Sequence, residues 1–511
     1  MNDGNVTGFG AAGLKVLKPT HRDQAIEMVR LAIAQGNRLY PVSTGLNWGY
    51  GSATPASPGC TVLDLSGMNR ILNADQISKT NPIAVIEPGV TQRQLYQFLR
   101  DHCPDLMFNV TGSAADTSIL GNALDRGVGY LGPRREDLFG LEVVTGTGEV
   151  VQTGFRRLGE QSPLAHSHPY GLGPILDGLF FQGNFGIVTS ACFKLVPRAE
   201  RQVAVSLALK READLGAFID VLAQLKREGV MGTVTHIGNK ARTHASLMYG
   251  ISRYLSECCG VAEAELTREA NKALASVAPF EWTSLGGVSG TPRMVRAAVA
   301  EVRARMVHLA RMTAVDDAKL DLGYRVMHGL RFLPLARANA AAIAAIRPLH
   351  GLASGVPSDV AIDNLLWRFG RSELPATALD ESTCGLLFIS PALPMNGGFV
   401  ADVVAAMTEI AAQHRHKLYA TVNIETSTSL VAVTNLLFDR SSPDETAQAH
   451  RCADALLAYI RSRGLEVYRA RADMMASVVD EASDYWRVVR RLKAAIDPGN
   501  IISPGRYNVA N

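Results

Sequence analysis

An α+β fold divided into more than one domain is the architecture this sequence predicts, and three observations predict it. Strand-like and helix-like segments alternate as far as Pro197, interrupted by long glycine-containing loops. The composition changes near Arg198: the glycine loops vanish, and alternating apolar runs interleave with amphipathic helices to about residue 465. The chain has 511 residues, more than one hydrophobic core usually serves.

Taken in order, Asp23–Gln35 reads as a helix, with Ala25, Met28, Leu31 and Ile33 at near-helical spacing. Arg38–Val42 and Thr61–Leu65 are β-type runs. Between them lies Pro41–Gly51, Pro-Val-Ser-Thr-Gly-Leu-Asn-Trp-Gly-Tyr-Gly, with three glycines and two short hydroxyls. Successive N–H groups in such a loop form a nest that suits an oxyanion such as a pyrophosphate. Read alone, the loop is equally a long surface turn. Pro82–Val90 is a buried strand closing in a Pro-Gly turn, and Thr91 caps a helix carrying Leu95, Phe98 and Leu99. A second small-residue stretch, Val110–Asn122, continues to Tyr130. Two such loops in one domain predict a large ligand lined by backbone donors. Leu138–Gly154 predicts a hairpin turning at Thr145–Glu149. After a short helix ending at Phe181, a third small-residue stretch, Gln182–Thr189, opens a strand that stops at Pro197. Beyond it, Val203–Leu207 alternates like a strand. Helices are predicted at Ala338–Ala345, Ala401–His414 and Glu445–Arg463, the last closed by Gly464. A helix over Ser483–Ile496 stops at Asp497-Pro498-Gly499.

Hydrophobic residues make up 47% and charged residues 19%, the balance of a globular rather than a disordered chain. A net charge of +3, without a basic run or a basic–aromatic stripe, leaves no nucleic-acid partner to expect. No uncharged apolar run is long enough for a membrane span, and the first residues lack a basic-then-apolar signal. Seven cysteines, with no CxxC, fit reduced thiols in a cytoplasm better than disulfides or zinc. The pairs His166/His168 and His414/His416 are spaced i,i+2, so no metal site is expected; His414 and His416 read as the solvated end of a helix. Neither GxGxxG after a strand nor GxSxG occurs.

Three segments together resemble the flavoprotein family of vanillyl-alcohol oxidase and p-cresol methylhydroxylase. They are Pro41-x-Ser43-x-Gly45-x-Asn47, Gly121-Asn122-Ala123-x-x-Arg126-Gly127-Val128-Gly129-Tyr130, and Asp497-Pro498-Gly499-Asn500-Ile501-Ile502-Ser503-Pro504-Gly505. Val85–Val90, Tyr170–Gly178 and Asn184–Thr189 occur in the family's order. The resemblance is strong over residues 10–197, moderate over the last fifty and weak between. It implies an α+β, p-cresol-methylhydroxylase-type (PCMH-type) FAD-binding domain of two subdomains at residues 1–198. An α+β cap at 199–465 and a segment at 466–511 returning to the first domain complete it. Ser43, Thr44, Gly45, Leu46 and Asn47 would wrap the pyrophosphate. Gly112, Ser113, Thr117, Ser118 and Asn122 would run along the ribityl chain and ring, and Gly186 and Ile187 would face the ring's far side. Tethered relatives carry a histidine where this chain has Asn47, or near Val431 or Ala432, and a cysteine absent from 110–118. Non-covalent FAD is therefore expected.

Tyr50, Tyr130 and the pair Tyr468-Arg469 match the family's substrate cluster. Two hydroxyls and a guanidinium around one oxygen would stabilise a phenolate, which pushes electron density to its para carbon. The competing reading has Tyr130 packing on the flavin and Arg469 as a salt-bridged boundary residue. Where phenol oxidases place an aspartate near flavin N5, this chain has Ser113, with Asp116 three residues on as a candidate substitute; serine alone is no general base at neutral pH. Gly112 leaves room for dioxygen, favouring an oxidase. The expected function is FAD-dependent hydride removal from a small phenolic or aromatic alcohol or amine, with dioxygen or another acceptor reoxidising the flavin, in a cytoplasmic and homodimeric enzyme. Two alternatives stand beside it. One is a 2-hydroxy-acid dehydrogenase in which Arg469 and Arg368 clamp a carboxylate. The other is a flavin-fold binding protein without turnover.

Overall fold

The computed structural model describes residues 4–10 and 13–508. Arg38–Val42 and Cys60–Asp64 pair in parallel, and the short strand Val16–Leu17 adds to the other side of Cys60–Asp64. The helix Arg22–Gln35 joins Val16–Leu17 to Arg38–Val42, the two strands that flank Cys60–Asp64, and packs on the face of this sheet. It turns Ala25, Ile26, Val29 and Ala32 inward. Of the four apolar residues at near-helical spacing, Ala25 is fully buried but Leu31 is 50% exposed. Apolar residues surround this helix, so its packing phase follows the sheet rather than its own pattern.

The second layer is an antiparallel sheet in the order Ile83–Ile86, Gly186–Lys194, Leu138–Thr145, Val150–Gln152. Leu138–Thr145 is buried along its whole length, as a strand covered on both faces must be. The helix Gln92–His102 packs on this core through Leu95 and Leu99, and the Thr91 hydroxyl accepts its cap bond from Gln94. Val144 and Ile187 reach back to the first sheet's core, so the two layers share apolar contacts.

From Arg201 onward one antiparallel sheet of eight strands dominates. Its order is Ala310–Val315, Arg201–Leu209, Trp282–Gly290, Thr235–Asn239, Tyr419–Ile424, Leu430–Asp439, Cys384–Phe388, with Ala392–Leu393 paired on Leu430–Asp439. Helices Leu215–Arg227, Pro292–Met306, Gly397–Gln413 and Pro443–Ser462 contribute to the core on this sheet. Helices Lys240–Cys259, Glu263–Val277 and Pro334–Ala353 form a separate cluster. The helix predicted to reach His414 stops at Gln413, and His416 lies beyond it, half-buried, with Nε2 unbonded among the described residues. It is therefore not a solvated helix end, and burial pushes its pKa down. All seven cysteines are free thiols.

After the cap the chain returns to the first sheet. Leu39 N–H donates to Ile501 O and Ser503 N–H to Leu39 O, each at 2.7 Å. A buried clasp holds this return in place. Lys493 Nζ donates at 2.6 Å to the Asp497 carboxylate, to Asn184 O and to Ile502 O. Asp497 also accepts the Ile501 and Ile502 N–H groups. Gly146 lies against this carboxylate so closely that an added Cβ would stand 2.2 Å from Oδ1. Asp497→Ala leaves a buried ammonium without its carboxylate, which costs about 3–5 kcal/mol. We expect thermal denaturation of that variant several degrees below the parent; an unchanged midpoint would show the clasp to be dispensable.

Candidate active site

A cavity of about 700 Å³ opens between the glycine loops and the inner face of the cap sheet. Of the candidate residues named from the sequence all but Asp116 line it: Ser43, Thr44, Gly45, Leu46, Asn47, Tyr50, Gly112, Ser113, Thr117, Ser118, Asn122, Tyr130, Gly186, Ile187, Arg368, Tyr468 and Arg469. Their side chains do different things. Ser118 donates to Pro88 O and caps the helix Ile119–Leu124 through Gly121 N–H, and its own N–H donates to Thr44 Oγ1. Its hydroxyl is consumed by structure, whereas the Thr44 hydroxyl donates to no acceptor among the described residues. Asn47 accepts from Arg469 through its carbonyl oxygen and spends one amide hydrogen on Asp125, which leaves a single amide N–H as donor.

The loop at 111–114 is braced from behind. Fully buried Arg134 donates to Asn109 O and to Gln92 Oε1, and Gln92 accepts from Thr111 N–H and donates to Ala114 O. Burial pushes the Arg134 pKa down to about 9, and Asp137 acts in the opposite direction.

An elongated anionic ligand fits what remains. Thr117 Oγ1, Gln182 Nε2 and Arg506 Nη1 are buried on the cavity wall without partners among the described residues. Buried polar atoms are rarely left so. Gly45, at φ 72°, turns the loop along the cavity wall in a conformation that glycine adopts readily.

At one end of the cavity Tyr50 is sandwiched. Its ring stacks on Phe388 at 4.9 Å and 7°, and the Arg469 guanidinium lies 4.1 Å from the ring centroid. Arg469 Nε donates to Asp125 at 2.7 Å, and Arg506 approaches the same carboxylate at 3.7 Å. The Tyr468 hydroxyl is within hydrogen-bonding reach of Tyr50. Burial raises both tyrosine pKa values, with Arg469 pulling down on each. Both hydroxyls are thus protonated at neutral pH and can donate to an oxyanion.

The middle of the cavity holds groups the sequence did not reveal. Tyr130 packs against His236, ring centroids 4.8 Å apart. His236 Nδ1 meets Asn423 Oδ1 at 2.8 Å, which makes Nδ1 the protonated nitrogen and leaves Nε2 a buried lone pair without a partner among the described residues. Burial drives the His236 pKa down to about 4. Arg242, Tyr419, Thr421 and Asn435 also face the cavity. All sit on cap strands or helices with no motif around them. Ser113 Oγ lies 2.6 Å from Thr111 Oγ1. Asp116, the candidate to stand in beside it, does not line the cavity. Its carboxylate is paired with Arg93 at 2.8 Å outside the wall. The turn that aims Ser113 inward carries Asp116 outward. Arg368 lines the cavity at the cap side, its guanidinium 5.5 Å from the Tyr419 ring centroid.

The family model described as an FAD binding domain matches residues 14–154. The chain is 32% identical over 503 residues to the 1'-carboxy-chondrochloren decarboxylase of Chondromyces crocatus, covering 96% of this chain and 90% of that protein. It is 27% identical over 479 residues to the 4-cresol dehydrogenase (hydroxylating) flavoprotein subunit of Pseudomonas putida, covering 92% and 83%. The structure of 4-ethylphenol oxidase from Gulosibacter chungangensis, an isoeugenol complex, matches with a TM-score of 0.80 at 23% identity, over 99% of this chain and 92% of that one.

A Cβ at Gly121 would stand 2.0 Å from Ser43 Oγ, so Gly121→Ala forces the capped helix away from the 43–47 loop. The expected result is protein purified with well under half the flavin of the parent, read from the ratio of flavin to protein absorbance. Full flavin content would show that this contact does not set the binding loop.

Proposed function

This chain belongs to the PCMH-type family of FAD-dependent oxidoreductases, and we propose that it oxidises a small para-substituted phenol at the carbon attached to the ring. The carrying observation is the Tyr50 sandwich with Tyr468 and Arg469 at the end of the cavity. A phenol placed there meets two donor hydroxyls and a permanently charged guanidinium. One carboxylate, Asp125, is shared between Arg469 and Arg506. This leaves one net positive charge at that end, which favours the phenolate over the phenol. The negative oxygen weakens the benzylic C–H bond toward hydride loss. Bound FAD supplies the hydride acceptor.

The names of two relatives support this reading, since 4-cresol and 4-ethylphenol are both para-alkyl phenols. The Chondromyces crocatus relative is named a decarboxylase, so carboxylated substrates occur among the relatives too. The 2-hydroxy-acid alternative is less well served. The Arg469 guanidinium is engaged by Asp125, Asn47 and the Tyr50 ring, so it offers a substrate its positive charge rather than a free two-point fork, which suits a single phenolate oxygen better than a carboxylate. We read the FAD as non-covalent, since Asn47, Val431 and Ala432 offer no nucleophile where tethered relatives carry one. We read dioxygen as the acceptor on account of Gly112. Nothing crowds its open side, where a Cβ would find Tyr130 no closer than 3.9 Å.

Losing one hydrogen bond to a charged oxygen costs about 1.5–3 kcal/mol. Tyr468→Phe should accordingly lower kcat/KM for 4-alkylphenols by roughly 10- to 100-fold, and Arg469→Lys by a similar factor, since a point charge cannot replace the planar fork. Anaerobic flavin bleaching by a panel of 4-alkylphenols and 2-hydroxy acids tests the substrate class. Bleaching by hydroxy acids but not by phenols rejects the proposal. For Gly112→Ala we expect unchanged anaerobic reduction with reoxidation by dioxygen slowed at least about tenfold, measured by stopped flow; equal reoxidation rates would remove the argument for an oxidase.

A further inference from the structure

Among the described residues two guanidinia on the cavity wall lack an ion pair, and while Arg368 rests on the Tyr419 ring, Arg242 has no ring contact either. Arg242 stands in the first turn of the helix Lys240–Cys259, where its backbone N–H donates to the Asn239 cap at 2.9 Å. Among the described residues its side chain makes no hydrogen bond and no ion pair, although it lines the cavity beside Tyr130 and Tyr419. The surrounding protein pushes its pKa down, with no carboxylate acting in the other direction. Arginine stays charged regardless, so this is a cation waiting for an anion.

The cavity offers it none. Among the described residues Asp125 is the only acidic one on the wall, and Arg469 and Arg506 hold it. The strand Tyr419–Ile424 runs from the Arg242 side of the cavity past His236. Its Asn423 bonds His236, and Tyr419 lies beside Arg242 and under Arg368. Those two positions are four residues apart, roughly 13 Å along an extended strand. Tyr468 interacts instead with Glu425, just past the strand's other end. The unpaired arginine therefore lies on the side of Tyr130 and His236 away from the phenol-binding end.

We propose that Arg242 anchors a carboxylate on the substrate's side chain, and that hydride removal is followed by loss of that carboxylate as CO2. The inference rests on the phenol reading above. Its substrate is a 4-hydroxyphenyl compound with the carboxylate on the carbon next to the benzylic one. Hydride leaves the benzylic carbon for FAD, and the ring becomes a quinone methide. The bond between the neighbouring carbon and the carboxylate then breaks. Its electron pair forms the side-chain double bond and returns the ring to phenolate, while CO2 departs. No proton is abstracted from carbon and no water is added. This fits a wall that has Ser113 where a carboxylate base would stand and Asp116 turned outward.

The test uses FAD-loaded enzyme with 3-(4-hydroxyphenyl)propionate and, as its carboxylate-free counterpart, 4-ethylphenol. Wild type should release CO2 and 4-vinylphenol from the acid in equal amounts. Arg242→Gln should raise KM for the acid at least about tenfold and leave kcat/KM for 4-ethylphenol within about twofold. Calorimetry with 4-hydroxycinnamate, which has no sp3 carbon to oxidise, should show the same tenfold weakening, a readout independent of turnover. Oxidation of 4-ethylphenol but not of the acid, or oxidation of the acid without CO2, overturns this inference and leaves the phenol reading standing. Oxidation of neither overturns both. Equal losses for acid and alkylphenol in Arg242→Gln would make the arginine structural and reject its anchoring role.

Discussion

The Asp125 carboxylate is the constraint from which the site is built. It follows directly on the short helix Ile119–Leu124, and it collects Asn47 from the first glycine loop, Arg469 from the segment after the cap, and Arg506 from the tail. Four stretches of chain far apart in sequence meet at one negative charge. The side chains of Arg469 and Arg506 are only 7% and 5% exposed, so neither guanidinium can turn to water if the carboxylate goes. Removing one member of such a group strands the others. The arrangement also fixes an electrostatic surplus, two cations against one anion, facing the cavity.

Position in the site was legible where the chain lines it continuously. Ser43–Asn47 and Gly112–Asn122 are runs rich in small residues, and all the candidates named on them except Asp116 line the cavity. What each side chain does there was not legible. Ser118 and Asn47 look like free donors in a motif, yet Ser118 spends its hydroxyl on Pro88 O and Asn47 spends one amide hydrogen on Asp125. Asp116 failed as a candidate because three residues of turn suffice to carry a side chain from one face of a loop to the other. The cap contributed His236, Asn423 and Asn435 unannounced. On strands that alternate polar with apolar residues, the polar face reads as facing solvent; here it faces the ligand cavity. Alternation reports burial on one side only, and cannot tell water from a cavity that excludes it.

The Tyr50 sandwich shows a further limit of pattern. The phenol ring is held flat because the residues on both sides of it lack side chains. A Cβ on Gly49 would come within 2.4 Å of Phe388, and one on Gly51 within 2.7 Å of Ala472. The cap strand and the returning segment therefore press directly on loop backbone, and Ala472 N–H donates to Tyr50 O. The glycines read from sequence as a cradle for a ligand serve at this point as seats for the cap.

The Lys493–Asp497 clasp bears on the order of assembly. The strand Arg38–Val42 launches the first glycine loop, but one of its edges is completed only by residues 501–503. Arg506, one of the two guanidinia at Asp125, comes later still. During synthesis the loop would thus emerge early and wait for nearly the whole chain before its neighbours arrive. Cofactor capture should be a late event, coupled to the docking of the tail rather than to folding of the first domain, and a chain stopped anywhere in the cap would carry every cradle residue of residues 43–130 yet be unable to close around a nucleotide.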